Sequence, residues 1–77
     1  MAISLVQKNV LINNVKQMYQ DFGPNQKGSE LLTIVAQTPI YKVETNGEII
    51  VFYDLVDPDV FVFDTLDAFK KFIMNEY

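Results

Sequence analysis

Residues 40–63 read IYKVETNGEIIVFYDLVDPDVFVF, which is three strand-like runs separated by two turn signals. Asn46-Gly47 lies between runs of β-branched and aromatic residues, a pattern typical of a two-residue hairpin turn in which both positions take positive φ. The Asp-Pro-Asp sequence at residues 57–59 marks a second turn, after which the third run begins. The segment therefore predicts a three-stranded antiparallel meander over Ile40–Phe63.

The length of each turn sets the register of the predicted strands, because a two-residue turn leaves one pairing of the strands it joins. The predicted first hairpin pairs Val43 with Ile50, Tyr41 with Phe52, Ile40 with Tyr53 and Lys42 with Val51. The predicted second hairpin pairs Leu55 with Val60, which places Phe63 beside Phe52 and Val62 beside Tyr53. These pairings assign every side chain of the meander to one of two faces.

Both faces of the predicted sheet are apolar. The core face carries Tyr41, Val43, Ile50, Phe52, Phe61 and Phe63. The second face carries Ile49, Val51, Tyr53, Leu55, Val60 and Val62, and its only charged residues are Lys42 and Glu44. An antiparallel sheet with one solvated face alternates apolar and polar residues, so the second face requires a cover. Three explanations are open. The first helix packs on the second face, or the predicted register is off by one residue. In the third, the second face is a dimer or partner surface centred on Val51, Tyr53 and Val62.

A helix is predicted before the meander and another after it. Ser4 and Gln7 form a capping box, and Gly23-Pro24 is a stop signal, so the first helix is expected at about Leu5–Phe22. The last helix is expected at about Thr65–Glu76. Asp64 is expected to cap it, with Asp67 adding negative charge at its positive end.

The segment Glu30–Gln37 fits two structures. Its apolar residues suit a short helix ended by Pro39, whereas its β-branched run Thr33–Val35 suits a fourth strand. Periodicity does not separate these in so short a segment, and the balance of signals slightly favours the helix. The 77 residues are thus expected to form a single small α+β domain over residues 1–77.

The chain contains no His, Cys, Arg or Trp, and this composition narrows the function classes. Without His there is no side chain that titrates near neutral pH, and without Cys there is no thiolate nucleophile or soft metal ligand. Without Arg there is no planar fork for bidentate recognition of phosphate. We therefore expect no enzymatic activity, no cofactor and no metal, and the spacing of an EF-hand calcium loop is also missing.

The net charge of −4 argues against direct binding of nucleic acid, because the six lysines are scattered along the chain. No apolar run is long enough to span a bilayer, and the N-terminal residues do not resemble a signal peptide, so a cytoplasmic location is expected. The Lys- and Asn-rich, Arg-free composition suits an AT-rich bacterial or phage genome. In general type the chain is similar to small phage or mobile-element proteins that inhibit host factors.

Five aspartates and no lysine occur between residues 54 and 67: Asp54, Asp57, Asp59, Asp64 and Asp67. Ordinary turn and cap chemistry explains four of them. The alternative is an acidic edge that binds a basic protein partner.

These patterns predict a small non-catalytic protein-binding domain, an inhibitor or regulator that engages a basic surface through Asp54, Asp57 and Asp59. The alternative is a structural or assembly subunit, such as a homodimer, that acts through the apolar sheet face. A carboxylate-based hydrolase is the third class, although Asp57 and Asp59 have no evident orienting group.

Overall fold

The computed structural model describes residues 3–22 and 31–76, and within them it has an α+β fold with one four-stranded antiparallel sheet. The elements in chain order are α1 (Leu5–Asp21), β1 (Thr33–Gln37), β2 (Tyr41–Thr45), β3 (Ile50–Asp54), β4 (Asp59–Phe63) and α2 (Leu66–Glu76). The strands lie side by side in the order β1-β2-β3-β4. The predicted α+β class is confirmed, with four strands in place of three.

The predicted start of α1 is confirmed at the level of individual hydrogen bonds. The Ser4 hydroxyl accepts from the Gln7 backbone N–H at 3.2 Å, and the Gln7 side chain accepts from the Ser4 N–H at 3.4 Å. This reciprocal pair satisfies two donors that the first helical turn cannot satisfy internally. The helix ends at Asp21, and the predicted stop signal at residues 23–24 lies outside the described residues.

The strand β1 replaces the short helix that the sequence slightly favoured, so that expectation was wrong. Its pairing with β2 shifts by one residue between Ile34 and Ala36, which makes Val35 the extra residue of a β-bulge. Val35 and Ala36 both pack against the core. Two consecutive apolar residues on one side break strand alternation, and this is why the segment resembled a helix.

The hairpin between β2 and β3 has a four-residue loop, so the predicted two-residue turn was wrong. Gly47 has a φ of 86°, but no other described residue has positive φ, so Asn46 does not take the conformation that the two-residue turn requires. Instead, the Asn46 Oδ1 atom accepts from the N–H groups of Glu48 and Ile49, each at 3.0 Å. The Thr45 hydroxyl donates to the Ile49 carbonyl at 2.7 Å and closes the loop.

The observed strand register differs from the predicted one by two residues in both hairpins. In the first hairpin Thr45 pairs with Ile50, Val43 with Phe52, Lys42 with Tyr53 and Tyr41 with Asp54. In the second hairpin Phe52 pairs with Phe61, Tyr53 with Val60, Val51 with Val62 and Ile50 with Phe63. Because side chains alternate with a period of two, a shift of two residues changes the neighbours but keeps each side chain on its predicted face.

The last helix begins one residue later than predicted, at Leu66, and Thr65 takes the capping role expected of Asp64. The Thr65 hydroxyl accepts from the Ala68 N–H at 3.1 Å, and the Thr65 carbonyl accepts the first helical bond from Phe69. Asp67 lies in the first turn, where its negative charge stabilises the positive helix end, as predicted. Tyr77 lies outside the described residues.

Both helices pack on the same face of the sheet, the predicted core face. The core joins residues of both helices to β2 and β3, and its members are Leu11, Ile12, Val15, Val43, Ile50, Phe52, Phe69 and Ile73. The Phe72 ring lies 5.5 Å from the Phe52 ring and 4.7 Å from the Phe61 ring. The expectation that the first helix covers the second face was therefore wrong. The alternative that the predicted register is off by one residue was also wrong.

Candidate functional site

The face of the sheet opposite the two helices is the candidate site, and we call it the open face. No described helix lies on it. Strand alternation and the observed register place on it Ile34, Gln37, Lys42, Glu44, Val51, Tyr53, Val60 and Val62. Val60 and Val62 are 58% and 59% exposed. Two adjacent β-branched side chains that remain largely exposed on one strand are a candidate contact surface.

The centre of the open face is a polar cluster on β2 and β3. The Lys42 ammonium nitrogen lies 4.4 Å from the centroid of the Tyr53 ring, and the two residues are direct cross-strand partners. The Glu44 carboxylate is the diagonal neighbour of Tyr53 on the same face. Hydrogen bonding to Glu44, followed by burial and the negative charge of Glu44, raises the pKa of the Tyr53 hydroxyl above its usual value of 10.0. A phenol is protonated at neutral pH even at its usual pKa, and the upward shift keeps Tyr53 a hydrogen-bond donor rather than a base.

The three residues predicted as the centre of the apolar face differ in accessibility. Val62 is exposed and Tyr53 is half-buried, but Val51 is only 5% exposed. Val51 lies on a central strand with neighbours on both sides, whereas Val62 lies on the last strand. The accessible apolar surface is therefore centred on β4, and Val60 belongs to it. Strand alternation alone placed Val60 on this face, but only the strand order shows that it is at an edge.

Of the five aspartates between residues 54 and 67, Asp54 has a structural role. Its side chain is 7% exposed, and its Oδ1 atom accepts from the N–H groups of Val56 at 3.0 Å and Asp57 at 3.1 Å. These bonds build the four-residue loop between β3 and β4, as Asn46 does in the first hairpin. The carboxylate of Asp54 is therefore committed to the loop and is poorly placed to contact a partner.

The other four aspartates are exposed and form two separate pairs. Asp57 and Asp59 lie where β4 begins, and Asp64 and Asp67 lie where β4 has ended and α2 starts. The strand between them spans about 16 Å, taking about 3.3 Å for each residue. The sequence suggested one acidic edge, but the structure places a pair of carboxylates at each end of β4, with Val60 and Val62 between them.

A metal site and a surface depression are the other candidate sites among the described residues. Among residues 3–22 and 31–76, no group of three or more acidic side chains lies close enough together to hold a metal ion. A shallow depression of about 240 Å³ lies between α1 and β1, lined by Asn14, Gln17, Met18, Asp21 and Val35. Asp21 is the single carboxylate among these lining residues. In the described part of the chain, neither helix is long and apolar enough to cross a membrane.

Comparison of the chain with protein-family models, curated proteins and solved structures found no match.

Proposed function

We propose that this chain is a non-catalytic protein-binding domain that engages a basic partner through the open face and the acidic ends of β4. The observation that carries the proposal is the exposure of Val60 and Val62, at 58% and 59%, on a sheet face that no described helix covers. Burial of such side chains against a partner removes apolar surface from water and favours association.

The arrangement of charge supports a basic partner. Exposed aspartates lie at both ends of the apolar strand, Asp57 and Asp59 at one end and Asp64 and Asp67 at the other. An apolar centre with a charged rim is the usual anatomy of a protein interface. The net charge of −4 adds a long-range attraction for a cationic surface, which raises the association rate more than the final affinity.

A second candidate function is a structural or assembly subunit that self-associates through the same open face. Lys42 and Glu44 favour it, because they carry opposite charges and lie two residues apart on the same face of β2. A two-fold axis between them places Lys42 of one copy near Glu44 of the other, which is the self-complementarity that a symmetric dimer requires.

We also propose a biological setting for this chain. A cytoplasmic regulator or inhibitor from a phage or mobile element is supported by the Arg-free, Lys- and Asn-rich composition. Its partner on this view is a host protein with a basic surface.

Capture of partners from a bacterial lysate tests the proposal, with the wild type beside the double variant Asp57→Lys/Asp59→Lys. The matched control is Asp21→Lys/Glu76→Lys, which makes the same change in charge at exposed helix positions outside β4. We expect the control to retain the partners and the β4 variant to lose them. If both variants capture the same proteins, Asp57 and Asp59 have no role in binding.

Sedimentation of the pure protein over a range of concentrations separates the two candidates. An assembly subunit gains average mass as its concentration rises, and salt weakens only the Lys42–Glu44 pairs of a contact that is otherwise apolar. A partner-binding domain stays monomeric alone, and its association with the partner slows as ionic strength increases.

A further inference from the structure

The two edges of the sheet differ in their readiness to accept another strand. β1 carries the bulge at Val35, which twists the edge and interrupts its row of hydrogen-bonding groups. β4 is regular over Asp59–Phe63, and it pairs with β3 at every residue without a register shift. It contains no proline and no lysine, the residues that usually protect an edge strand. Within the described residues no strand pairs with its outer side.

The register identifies the backbone groups of β4 that point outward. The Leu55 N–H donates to the Ile40 carbonyl at 3.0 Å, so the odd-numbered residues of β3 direct their hydrogen bonds toward β2. Hydrogen bonding alternates along an antiparallel strand, so the even-numbered residues of β3 bond toward β4. Their partners on β4 are residues 59, 61 and 63. The N–H and C=O groups of Val60 and Val62 therefore point away from the sheet.

Val60 and Val62 thus combine two features that suit a strand-shaped ligand. Their backbones offer two donors and two acceptors along one edge. Their side chains are the largely exposed valines of the open face. In strand addition, the backbone bonds supply affinity, and contacts with alternate side chains supply specificity.

We propose that the outer edge of β4 binds an extended segment of a partner as a fifth strand of the sheet. The segment has small apolar residues at alternate positions and a lysine or arginine beyond each end. This inference rests on the proposed protein-binding function and names the chemistry of the bound segment. The cationic ends face Asp57 and Asp59 at one end of β4 and Asp64 and Asp67 at the other.

The same charges argue against a second copy of the chain as the occupant. An antiparallel pair of β4 strands with Val60 opposite Val62 of the second copy sets Asp59 of one copy opposite Phe63 of the other, one residue away from Asp64. A parallel pair aligns each aspartate with its own equivalent. Both arrangements bring negative charges of the two copies close together and so create repulsion, whereas a segment with cationic ends is attracted to the aspartates at both ends of β4.

The test uses the full chain and the peptide Lys-Lys-Val-Thr-Val-Thr-Val-Lys-Lys, with a control peptide that has Glu in place of every Lys. Amide chemical shifts and hydrogen exchange are followed during titration. We expect the N–H groups of Val60 and Val62 to shift and to exchange more slowly with the basic peptide only. Raising the salt concentration from about 0.05 M to about 0.5 M is expected to weaken binding several-fold, because the paired charges are exposed.

The matched variants Val62→Pro and Val62→Thr isolate the backbone contribution. Proline removes the outward N–H at a position that makes no ladder bond to β3, whereas threonine keeps the N–H and the β-branched shape. We expect Val62→Pro to bind the basic peptide about five-fold more weakly than Val62→Thr, which is the net worth of about one hydrogen bond. A peptide N-methylated at its three valines is a second measurement that leaves the protein unchanged, and we expect it not to bind.

Three results overturn the inference. One is equal binding of the N-methylated and unmethylated peptides. Another is a change in amide shifts and exchange that is confined to Lys42 and Tyr53. Both results leave the proposed protein-binding function intact. The third is a concentration-dependent shift of the Val60 and Val62 amides without any peptide, which identifies a second copy on the edge. Failure of the proposed function itself is recognised separately, when the wild type captures no protein that the Asp57→Lys/Asp59→Lys variant loses.

Discussion

The helix-covered face and the open face of the sheet are built from alternate residues of the same strands, yet their environments differ greatly. Phe52 is fully buried beneath α2, whereas Tyr53, the next residue, lies on the open face beside Lys42. Both faces are rich in apolar residues, so hydrophobicity of the strands does not determine which face is covered. The helices determine it, because the apolar sides of both α1 and α2 meet on one side of the sheet.

The largest expected difference between the faces is at Phe52 and Tyr53. We expect Phe52→Ala to lower the free energy of unfolding by about 3–5 kcal/mol, because it leaves a cavity among well-packed aromatic rings. This is a large part of the total stability of so small a domain. Tyr53→Ala is expected to cost no more than about 1–2 kcal/mol, since it loses cross-strand contacts and strand propensity but leaves no cavity. Chemical denaturation of the two variants measures both values, and equal losses would contradict the difference between the faces.

A smaller effect is expected at the loop that sets which residues of β2 and β3 are cross-strand partners. Asn46→Ala removes the Oδ1 atom that accepts from the N–H groups of Glu48 and Ile49. We expect a loss of about 1–2 kcal/mol, because the two N–H groups lose their partner in a part-buried loop. Asn9→Ala, at an exposed position of α1, is the control and is expected to cost nothing measurable. A melting temperature unchanged by Asn46→Ala would mean that the backbone alone maintains the four-residue loop.

The smallest effect is a pH dependence confined to the open face. Because the hydrogen bond to Glu44 raises the pKa of Tyr53, the protonated phenol is favoured in the folded chain. Its stabilising contribution is fully present below the ordinary tyrosine pKa and is lost as the pH rises through the raised value. We expect Glu44→Gln to lower the pKa of Tyr53 toward 10.0, as followed by the NMR shifts of its ring. Glu48→Gln, at an exposed loop position, is the control that should leave the titration unchanged.

Most of the fold was accessible from the sequence because its main signals are local. The Ser4–Gln7 capping box and the alternation within the strands correctly predicted α1, three of the strands and both sheet faces. The register was wrong by two residues in each hairpin because the side chains of Asn46 and Asp54 build four-residue loops. The short helix expected in place of β1 was wrong because a bulge places Val35 and Ala36 on the same side of the strand.

The candidate site depends more on tertiary structure, and less of it was predictable. The apolar second face followed from alternation, but alternation did not reveal that Val51 is buried while Val62 is exposed. The five aspartates are close in sequence, yet the length of β4 separates two pairs of them and the loop takes up Asp54. Residues that are neighbours along a chain become distant when a strand intervenes, and composition does not reveal that separation.

The bulge in β1 also limits how many molecules the sheet can join. A sheet with two regular edges is divalent, since the β4 edge of one copy fits the β1 edge of the next, and repetition of that contact gives an open-ended fibre. With its register interrupted at Val35, β1 is a poor acceptor, and the sheet offers a single regular edge. A monovalent edge is satisfied by one added strand, so strand addition at β4 ends in a complex of defined size rather than in polymerisation.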